Sequence, residues 1–459
     1  MEDFLTGKQH IHFIGIGGSG MYPLAQILHS KGFYLTGSDN NETETLELVR
    51  KMGITVFLGQ CAENIEGADL IVYTAAIMDD NPELMAARES GVTVIERATL
   101  LGLITSRYNN SICIAGTHGK TTATSMLTQM FLAENVDISA VIGGKLKAIG
   151  GSGIAGSSDT MICEACEFLD HFLKLSVDIA VVLNVDEDHL DYFKNLENII
   201  SSFNKFCKNA SKAVIINGDD ANSIKALEGI TGKDIVTFGR NSNNNWYPEN
   251  IRHTGTLETA FTIMHDKETA CEAVIHVPGE HNVINAVAAA ATAYYSGVSS
   301  EAIVKGLDEF KGAGRRFEKY GEYGGITVVD DYGHHPAEIA ATLSTAKEMG
   351  FKRVWAVHQP FTYSRTYTLM DDFVKALSIA DKTVLTEIMG SREKNTFNVY
   401  SKDLCEKIDG AVWFPEFEQV ANHVCKNAEE GDLIITLGCG DVYKVARMMC
   451  SRLENKFSK

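Results

Sequence analysis

The chain has 459 residues, of which 45% are hydrophobic and 22% charged, and its formal net charge is −19. The composition is that of an ordinary globular protein, and the length calls for about three domains rather than one core. The acidic balance excludes a general binder of nucleic acid or anionic membrane, which needs a basic footprint. No apolar run reaches the roughly 18 residues of a membrane span, and Met1–Lys8 lacks the basic and apolar regions of a secretory signal. The 10 cysteines are scattered, mostly in apolar segments, which points to buried thiols in the reducing cytoplasm.

Three Gly-punctuated α/β blocks follow one another. The first opens with the apolar strand Ile11–Ile14, which runs into Gly15, Gly17, Gly18, Ser19 and Gly20. A helix extends to about His29, and a second strand, Phe33–Asp39, ends in an acid 19 residues after Gly20. Strand, G-x-G-x-x-G, helix, strand and Asp form the dinucleotide-type fingerprint, with Asp39 as the acidic ribose contact. The pattern implies a nucleotide-type ligand without saying which. Further strands are expected at Leu70–Thr74 and Val92–Ile95.

The second block carries the most informative stretch, Gly116, Thr117, His118, Gly119, Lys120, Thr121 and Thr122. It lies between an apolar strand, Ser111–Ala115, and a helix-like segment, Ala123–Ala133. A strand, a Gly-rich turn with a Lys and a helix N-terminus cradle phosphates through free N–H groups and the helix dipole. The Lys adds a point charge, and a Thr hydroxyl can ligate Mg²⁺. Only two residues separate the glycines, so the loop is shorter than the common four-residue form. Strands are expected at Met161–Cys163, Ile179–Asn184 and Ala213–Asn217, a surface loop at Gly239–Asn250, and an Ala-rich helix from His281 to about Ser296.

The third block begins near Gly312 and has strands at Ile326–Val329, Val354–Val357, Thr383–Thr386 and Leu433–Leu437, separated by helical stretches. Alternation of this kind implies largely parallel sheets. The fold expected is α/β in three domains: a Rossmann-like domain at 1–107, a central phosphate-loop domain with a mostly parallel sheet at 108–312, which the family resemblance given below makes an ATPase, and a second Rossmann-like domain at 313–459.

Carboxylates and imidazoles follow the predicted strands, where open α/β sheets place their ligands. Mg²⁺ prefers oxygen ligands, so Thr121 and Glu164 suit one such site. Cys163 and Cys166 have the spacing of a redox or half-zinc pair, but no second pair accompanies them. Asp330, Asp331, His334 and His335 crowd one strand end, and desolvating such groups is costly unless they are paired or functional. Arg365 follows another strand and offers a fork for a carboxylate; a structural ion pair is the alternative.

Taken in order, these segments resemble the Mur ligase family, over nearly the whole chain. The resemblance rests on Gly15–Met21, Gly116–Thr122, Glu164–Glu167 with His171–Leu173, Asn184–Asp191, His281–Asn282, Arg315–Phe317, Asp330–Pro336, Gln359–Thr366 and Leu437–Asp441. It implies an ATP- and Mg²⁺-dependent ligase acting on a UDP-sugar, and the branch that joins L-alanine to UDP-N-acetylmuramate, as a cytoplasmic monomer or homodimer. Gly15, Gly17, Gly18, Ser19, Gly20 and Asp39 would serve the UDP-sugar. Lys120 would hold the ATP phosphates, Thr121 and Glu164 one Mg²⁺ and His189 a second. Asn282 and Asn285 would lie near the adenine, Arg316 and Asp331 would contact the nucleotide, and His334 and Arg365 would orient L-alanine.

This chain departs from its relatives at Thr362, where many have an Arg, and at Cys166, where some have an Asp. Sister ligases carry a carbamylated Lys near the position of Asn204 and Lys205, which the alanine-adding branch does not need. The rival within the class is the ligase that attaches a tripeptide to the same sugar. Outside it, an NAD-dependent oxidoreductase would explain the first block but not the phosphate loop. A non-catalytic nucleotide-binding regulator would have no use for a second metal cluster.

Overall fold

The computed structural model describes residues 4–255, 257–391 and 393–457, apart from the side chain of Asp191. The chain forms two compact units. One comprises the residues up to His276 together with Glu280–Lys311; the other comprises Val277–Gly279 and the residues from Gly312 onward. The fold is α/β, with two sheets in the first unit and one in the second. Among the described residues no helix is long and apolar enough to cross a membrane.

The first sheet has five parallel strands in the order Thr55–Leu58, Tyr34–Asp39, His10–Ile14, Leu70–Tyr73, Thr93–Glu96. Ile11, Phe13 and Ile14 are wholly buried, as expected for a central strand covered on both faces. Strand order reverses beside His10–Ile14, and the Gly15–Gly20 loop lies at the carboxyl end of that strand, where such sheets open a crevice. Gly15 needs its glycine. Its φ is +85°, and a Cβ there would sit 2.7 Å from the Thr74 methyl. The helix Tyr22–Ser30 follows, with Pro23 in its first turn, where a missing N–H costs nothing.

The second sheet has ten strands. Its parallel centre includes Asn110–Ala115, Thr160–Glu164, Val177–Val182, Ala210–Asn217 and Asp234–Phe238. At one edge Ser139–Leu146 runs parallel to Thr160–Glu164 and folds back antiparallel onto Gly151–Ile154. This hairpin rests on the helix Tyr22–Ser30: a Cβ on Gly153 would lie 2.4 Å from Pro23 Cβ, and one on Gly151 3.2 Å from the Tyr22 ring. The other edge corrects an expectation. Gly239–Asn250 is not all loop, because Trp246–His253 is a strand paired antiparallel with Thr259–His265, which in turn pairs with Glu268–Ile275. Burial of Trp246, Tyr247 and Pro248 overrides the polar, turn-like composition just before them.

The sheet of the second unit runs Glu318–Tyr323, Ile326–Asp331, Asp432–Leu437, Arg353–His358, Lys382–Leu385, Val412–Trp413. It is parallel except for its first strand, which joins the second through Gly324 and Gly325. Both glycines have positive φ, as tight hairpins demand. Each strand expected in this block forms within a residue or two of its expected bounds.

Candidate active site

The phosphate loop is anchored from beneath by Asn184, at the end of the neighbouring strand. Its Oδ1 accepts from the His118 amide at 2.8 Å, and its Nδ2 donates to the His118 carbonyl at 3.1 Å. The Thr117 amide donates to the Asn184 carbonyl at 3.1 Å. Gly119 caps the helix Lys120–Ala133 in the left-handed conformation, with φ +83°. A Cβ on it would lie 2.6 Å from Asn285 Oδ1, so Asn285 packs directly on the loop. Asn285 in turn donates to Asn282 at 3.2 Å, and both are buried. The two residues expected near adenine are therefore beside the phosphate loop.

Lys120 folds back over this loop. Its Nζ donates to the carbonyls of Gly116 at 2.6 Å and Thr117 at 3.1 Å, and lies 3.0 and 2.9 Å from the two Glu167 oxygens. Burial works against its charge, but Glu167 and other neighbouring acidic groups outweigh it and raise the Lys120 pKa. Thr121 donates to Glu164 Oε2 at 2.8 Å, and the Gly143 amide donates to the same oxygen at 2.9 Å. Thr121 and Glu164 thus meet, as their assignment to one Mg²⁺ site requires. A second cluster brings ligand atoms of Glu167, Asp188 and His189 within 4.8 Å of one another. His189 has φ +52° and its ring lies 4.7 Å from that of Phe168. These donor sets, rich in carboxylate oxygen, fit Mg²⁺.

Glu167 is the residue that sequence reasoning passed over. Only its place three residues after Glu164 hinted at it, and the chain turns sharply there, with Leu169 and Asp170 both at positive φ. Tyr192 and Ser202 both donate to the Asp170 carboxylate and hold the turn. The Cys163–Cys166 spacing forms no pair: the thiol nearest Cys163 is Cys113 on the adjacent strand, at 3.3 Å.

A cleft of about 360 Å³ in the first unit connects the Gly18–Gly20 loop with Gly143 and Glu164; Arg97 and His171 also line it. Asp39 Oδ2 accepts from the Gly17 amide at 3.0 Å, so this carboxylate shapes the loop. Gly15 and Ile16 donate to the Ser38 carbonyl at 2.9 and 3.0 Å. His171 binds Glu96 at 2.8 Å, and Lys174 binds the other Glu96 oxygen at 2.7 Å.

The second unit gathers its own cluster. Asp331 accepts from the amides of Phe317 and Gly333, each at 2.8 Å; burial raises its pKa, opposed by Arg316. The Arg316 guanidinium lies 5.2 Å from the centre of the Tyr332 ring. Arg315 is structural: it binds Asp330 at 2.8 Å and the carbonyls of Gly438 and Gly440. His334 Nδ1 lies 3.2 Å from the Tyr332 carbonyl and 3.5 Å from Glu338. Burial holds its pKa below the ordinary value; Glu338 opposes this and Arg365 reinforces it. The Arg365 guanidinium makes no hydrogen bond or ion pair among the described residues, which leaves its fork open. Thr362, in place of the familiar Arg, caps the short helix Tyr363–Thr368 by accepting from the Arg365 amide at 3.4 Å.

A phosphate loop, two acidic metal-type clusters and a Gly-rich nucleotide-type crevice define a nucleotide-dependent α/β enzyme. The chain belongs to the Mur ligase family. Residues 10–109 match the Mur ligase family catalytic domain, 114–293 the Mur ligase middle domain, and 315–440 the Mur ligase glutamate ligase domain. It is 45% identical to the UDP-N-acetylmuramate–L-alanine ligase of Acetivibrio thermocellus, over 96% of this chain and 95% of that one. With the same-named protein of Caldanaerobacter subterraneus it shares 42% identity over 99% and 100% of the two chains. The crystal structure of the UDP-N-acetylmuramate-alanine ligase of Thermotoga maritima superposes with a TM-score of 0.83 at 28% identity, covering 97% of this chain and 99% of that one. A murein peptide ligase from Psychrobacter arcticus gives 0.74 at 25% identity, with the same coverage.

Proposed function

We propose that this chain is a cytoplasmic ATP-dependent ligase that joins L-alanine to the muramoyl carboxylate of UDP-N-acetylmuramate, in peptidoglycan precursor synthesis. The observation that carries this reading is the single cleft in the first unit that joins the Gly18–Gly20 loop to Glu164, the carboxylate that Thr121 of the phosphate loop also touches. An acceptor held by the Gly-rich loop can thereby present its carboxylate where a nucleotide phosphate is gripped. Residues 1–107, 108–312 and 313–459 take the UDP-sugar, the ATP, and the ATP with the amino acid, respectively.

A carboxylate is a poor acylating agent. Its oxygen attacks the ATP γ-phosphate, giving an acyl phosphate and ADP. The alanine amine then attacks the acyl carbon, and the tetrahedral intermediate expels phosphate. Lys120 and the free amides of its loop stabilise charge on the transferring phosphoryl group. Thr121 with Glu164, and His189 with Glu167 and Asp188, would hold Mg²⁺, which supplies further charge neutralisation when bound. Asn282 and Asn285 bind the adenine end, and Arg316 and Asp331 contact the nucleotide. Arg365 grips the alanine carboxylate. His334 is neutral at physiological pH. With Nδ1 turned to the Tyr332 carbonyl, its Nε2 is left to accept a proton from the amine.

The test is phosphate release from ATP and Mg²⁺ with UDP-N-acetylmuramate, comparing L-alanine, glycine, L-serine and the L-Ala-D-Glu-diaminopimelate tripeptide. Release that strongly favours L-alanine is expected. Release only with the tripeptide would move the chain to the tripeptide-adding branch, and no release with any acceptor would overturn the reading.

A further inference from the structure

Glu338 stands in the first turn of the helix Pro336–Glu348, four residues after His334. Its Oε2 accepts from the amides of His334 at 3.0 Å and His335 at 3.2 Å, which is the return half of a capping box. Capping alone would account for those two bonds. The His334 ring adds something that a cap does not require. Its Nδ1 lies 3.2 Å from the Tyr332 carbonyl and 3.5 Å from the same Glu338 oxygen. Both neighbours can only accept. A carbonyl has no proton to give, and Glu338 is ionised: burial pushes its carboxyl up, but His334, Arg316 and the two amides outweigh this and hold it at about 2. Nδ1 therefore carries the ring proton. Nε2 makes no hydrogen bond among the described residues and keeps its lone pair.

The groups that face this ring divide by sign. Arg365, from the helix Tyr363–Thr368, and Arg316, from the segment before the strand Glu318–Tyr323, both work against a cationic imidazole. His358, at the end of the strand Arg353–His358, is held neutral because burial lowers its pKa to about 4. The Tyr332 and Phe361 rings stand edge-on at 5.6 and 6.3 Å and bring no charge. Of these groups Glu338 alone is negative. A base that must become cationic beside two guanidiniums needs such a counter-charge, and it needs one fixed tautomer. One carboxylate provides both.

We propose that Glu338 is the positioning residue of His334: it fixes the Nδ1–H tautomer and steadies the imidazolium that forms when Nε2 takes the amine proton. This rests on the L-alanine ligase reading above. As the alanine nitrogen bonds to the acyl carbon, it releases one proton to Nε2. The ring becomes cationic, with its Nδ1–H between the Tyr332 carbonyl and Glu338, and it returns the proton to water once phosphate has left. The carboxylate stays ionised throughout, as the orienting acid of a catalytic triad does.

The test is the pH dependence of kcat at saturating L-alanine, ATP and UDP-N-acetylmuramate, for the wild-type full chain, Glu338→Gln and Glu338→Asp. The KM for L-alanine and thermal melting accompany each variant. Glu338→Gln keeps an acceptor for the two amides but loses the charge. It should lower kcat at neutral pH by about tenfold or more. It should also move the acidic limb of the kcat profile down by about one pH unit, because His334 then loses the charge that favours its protonated form. The KM for L-alanine should stay within about twofold, and Glu338→Asp should recover part of both effects. An acidic limb that does not move would overturn the proposal and leave Glu338 a helix cap. A raised KM for L-alanine at unchanged kcat would also overturn it, by placing Glu338 on the alanine ammonium. The ¹⁵N shifts of His334 in the wild type, assigned by their loss in His334→Gln, test the pairing without altering Glu338. A protonated Nδ1 and bare Nε2 are expected, and the opposite tautomer would overturn the proposal. A wild-type chain without L-alanine-dependent phosphate release would overturn the ligase reading, and with it the role of Glu338 in the reaction, whatever the tautomer.

Discussion

The Lys120 ammonium is shared between the Gly116 carbonyl, 2.6 Å away, and both oxygens of Glu167, at 3.0 and 2.9 Å. The two side chains are only 14% and 3% exposed, so each is the other's main compensation for lost water. Glu167→Ala leaves the buried cation with only the Gly116 and Thr117 carbonyls as partners and should cost about 3 kcal/mol of stability. Urea unfolding would read this loss. Glu167→Gln keeps a hydrogen-bond acceptor for Lys120 and should cost less. Phosphate release should fall in both, because Glu167 also belongs to the Asp188–His189 cluster. Wild-type activity in Glu167→Gln would mean that Glu167 only braces the lysine.

Gly143 gives a second prediction. A Cβ there would lie 2.5 Å from both Glu164 oxygens, which cannot be accommodated without moving the carboxylate. Gly143→Ala should therefore raise the Mg²⁺ concentration needed for half-maximal phosphate release by about tenfold or more, as loss of a well-oriented ligand does. Circular dichroism should show the fold intact. An unchanged Mg²⁺ requirement would remove Glu164 from the metal site.

Thr362 replaces the arginine of many relatives, and its position as a helix cap gives that replacement a physical role. Thr362→Ala removes the cap and should cost about 1 kcal/mol, measured by thermal unfolding. Thr362→Arg should show a similar loss. Neither should abolish L-alanine-dependent turnover if Arg365 alone grips the carboxylate; abolition by Thr362→Ala would place Thr362 in the pocket itself.

Glu96 predicts a pH dependence. The His171 hydrogen bond, against burial and with help from Lys174, lowers its pKa from 4.5 to about 2. The folded chain thus binds this proton less readily than the unfolded chain. Its contribution to stability is complete above about pH 4.5 and is lost as pH falls towards 2. Glu96→Gln should lower the melting temperature at neutral pH and flatten its fall across that window. An identical slope in the variant would dismiss this linkage.

The chemistry-bearing segments are legible in the sequence because each couples a short apolar strand to a Gly-rich or polar turn, and local steric rules dictate that geometry. Lys120, Thr121, Glu164 and Arg365 lie at strand ends or helix starts, as such rules imply; Asn285 is singled out only by the family resemblance. The place of Glu167 beside Lys120 and in the Asp188–His189 cluster was not legible. Its pairing with Lys120, 47 residues away in the chain, exists only in the folded structure. The edge strands Trp246–His253, Thr259–His265 and Glu268–Ile275 are half polar. The Asp266–Lys267 turn, with φ of +46° and +72°, is a hairpin signal that loop-like composition upstream obscured.

The hairpin seated on the helix Tyr22–Ser30 also carries Gly143, whose amide holds Glu164. Close approach of Gly151 to the Tyr22 ring and of Gly153 to Pro23 packs the helix that follows the Gly-rich loop against the hairpin that holds Glu164. This packing gives the two ends of the cleft a contiguous physical route for coupling. Whatever factor a bound UDP-sugar contributes to Mg²⁺ affinity, Mg²⁺ must return to the UDP-sugar in equal measure.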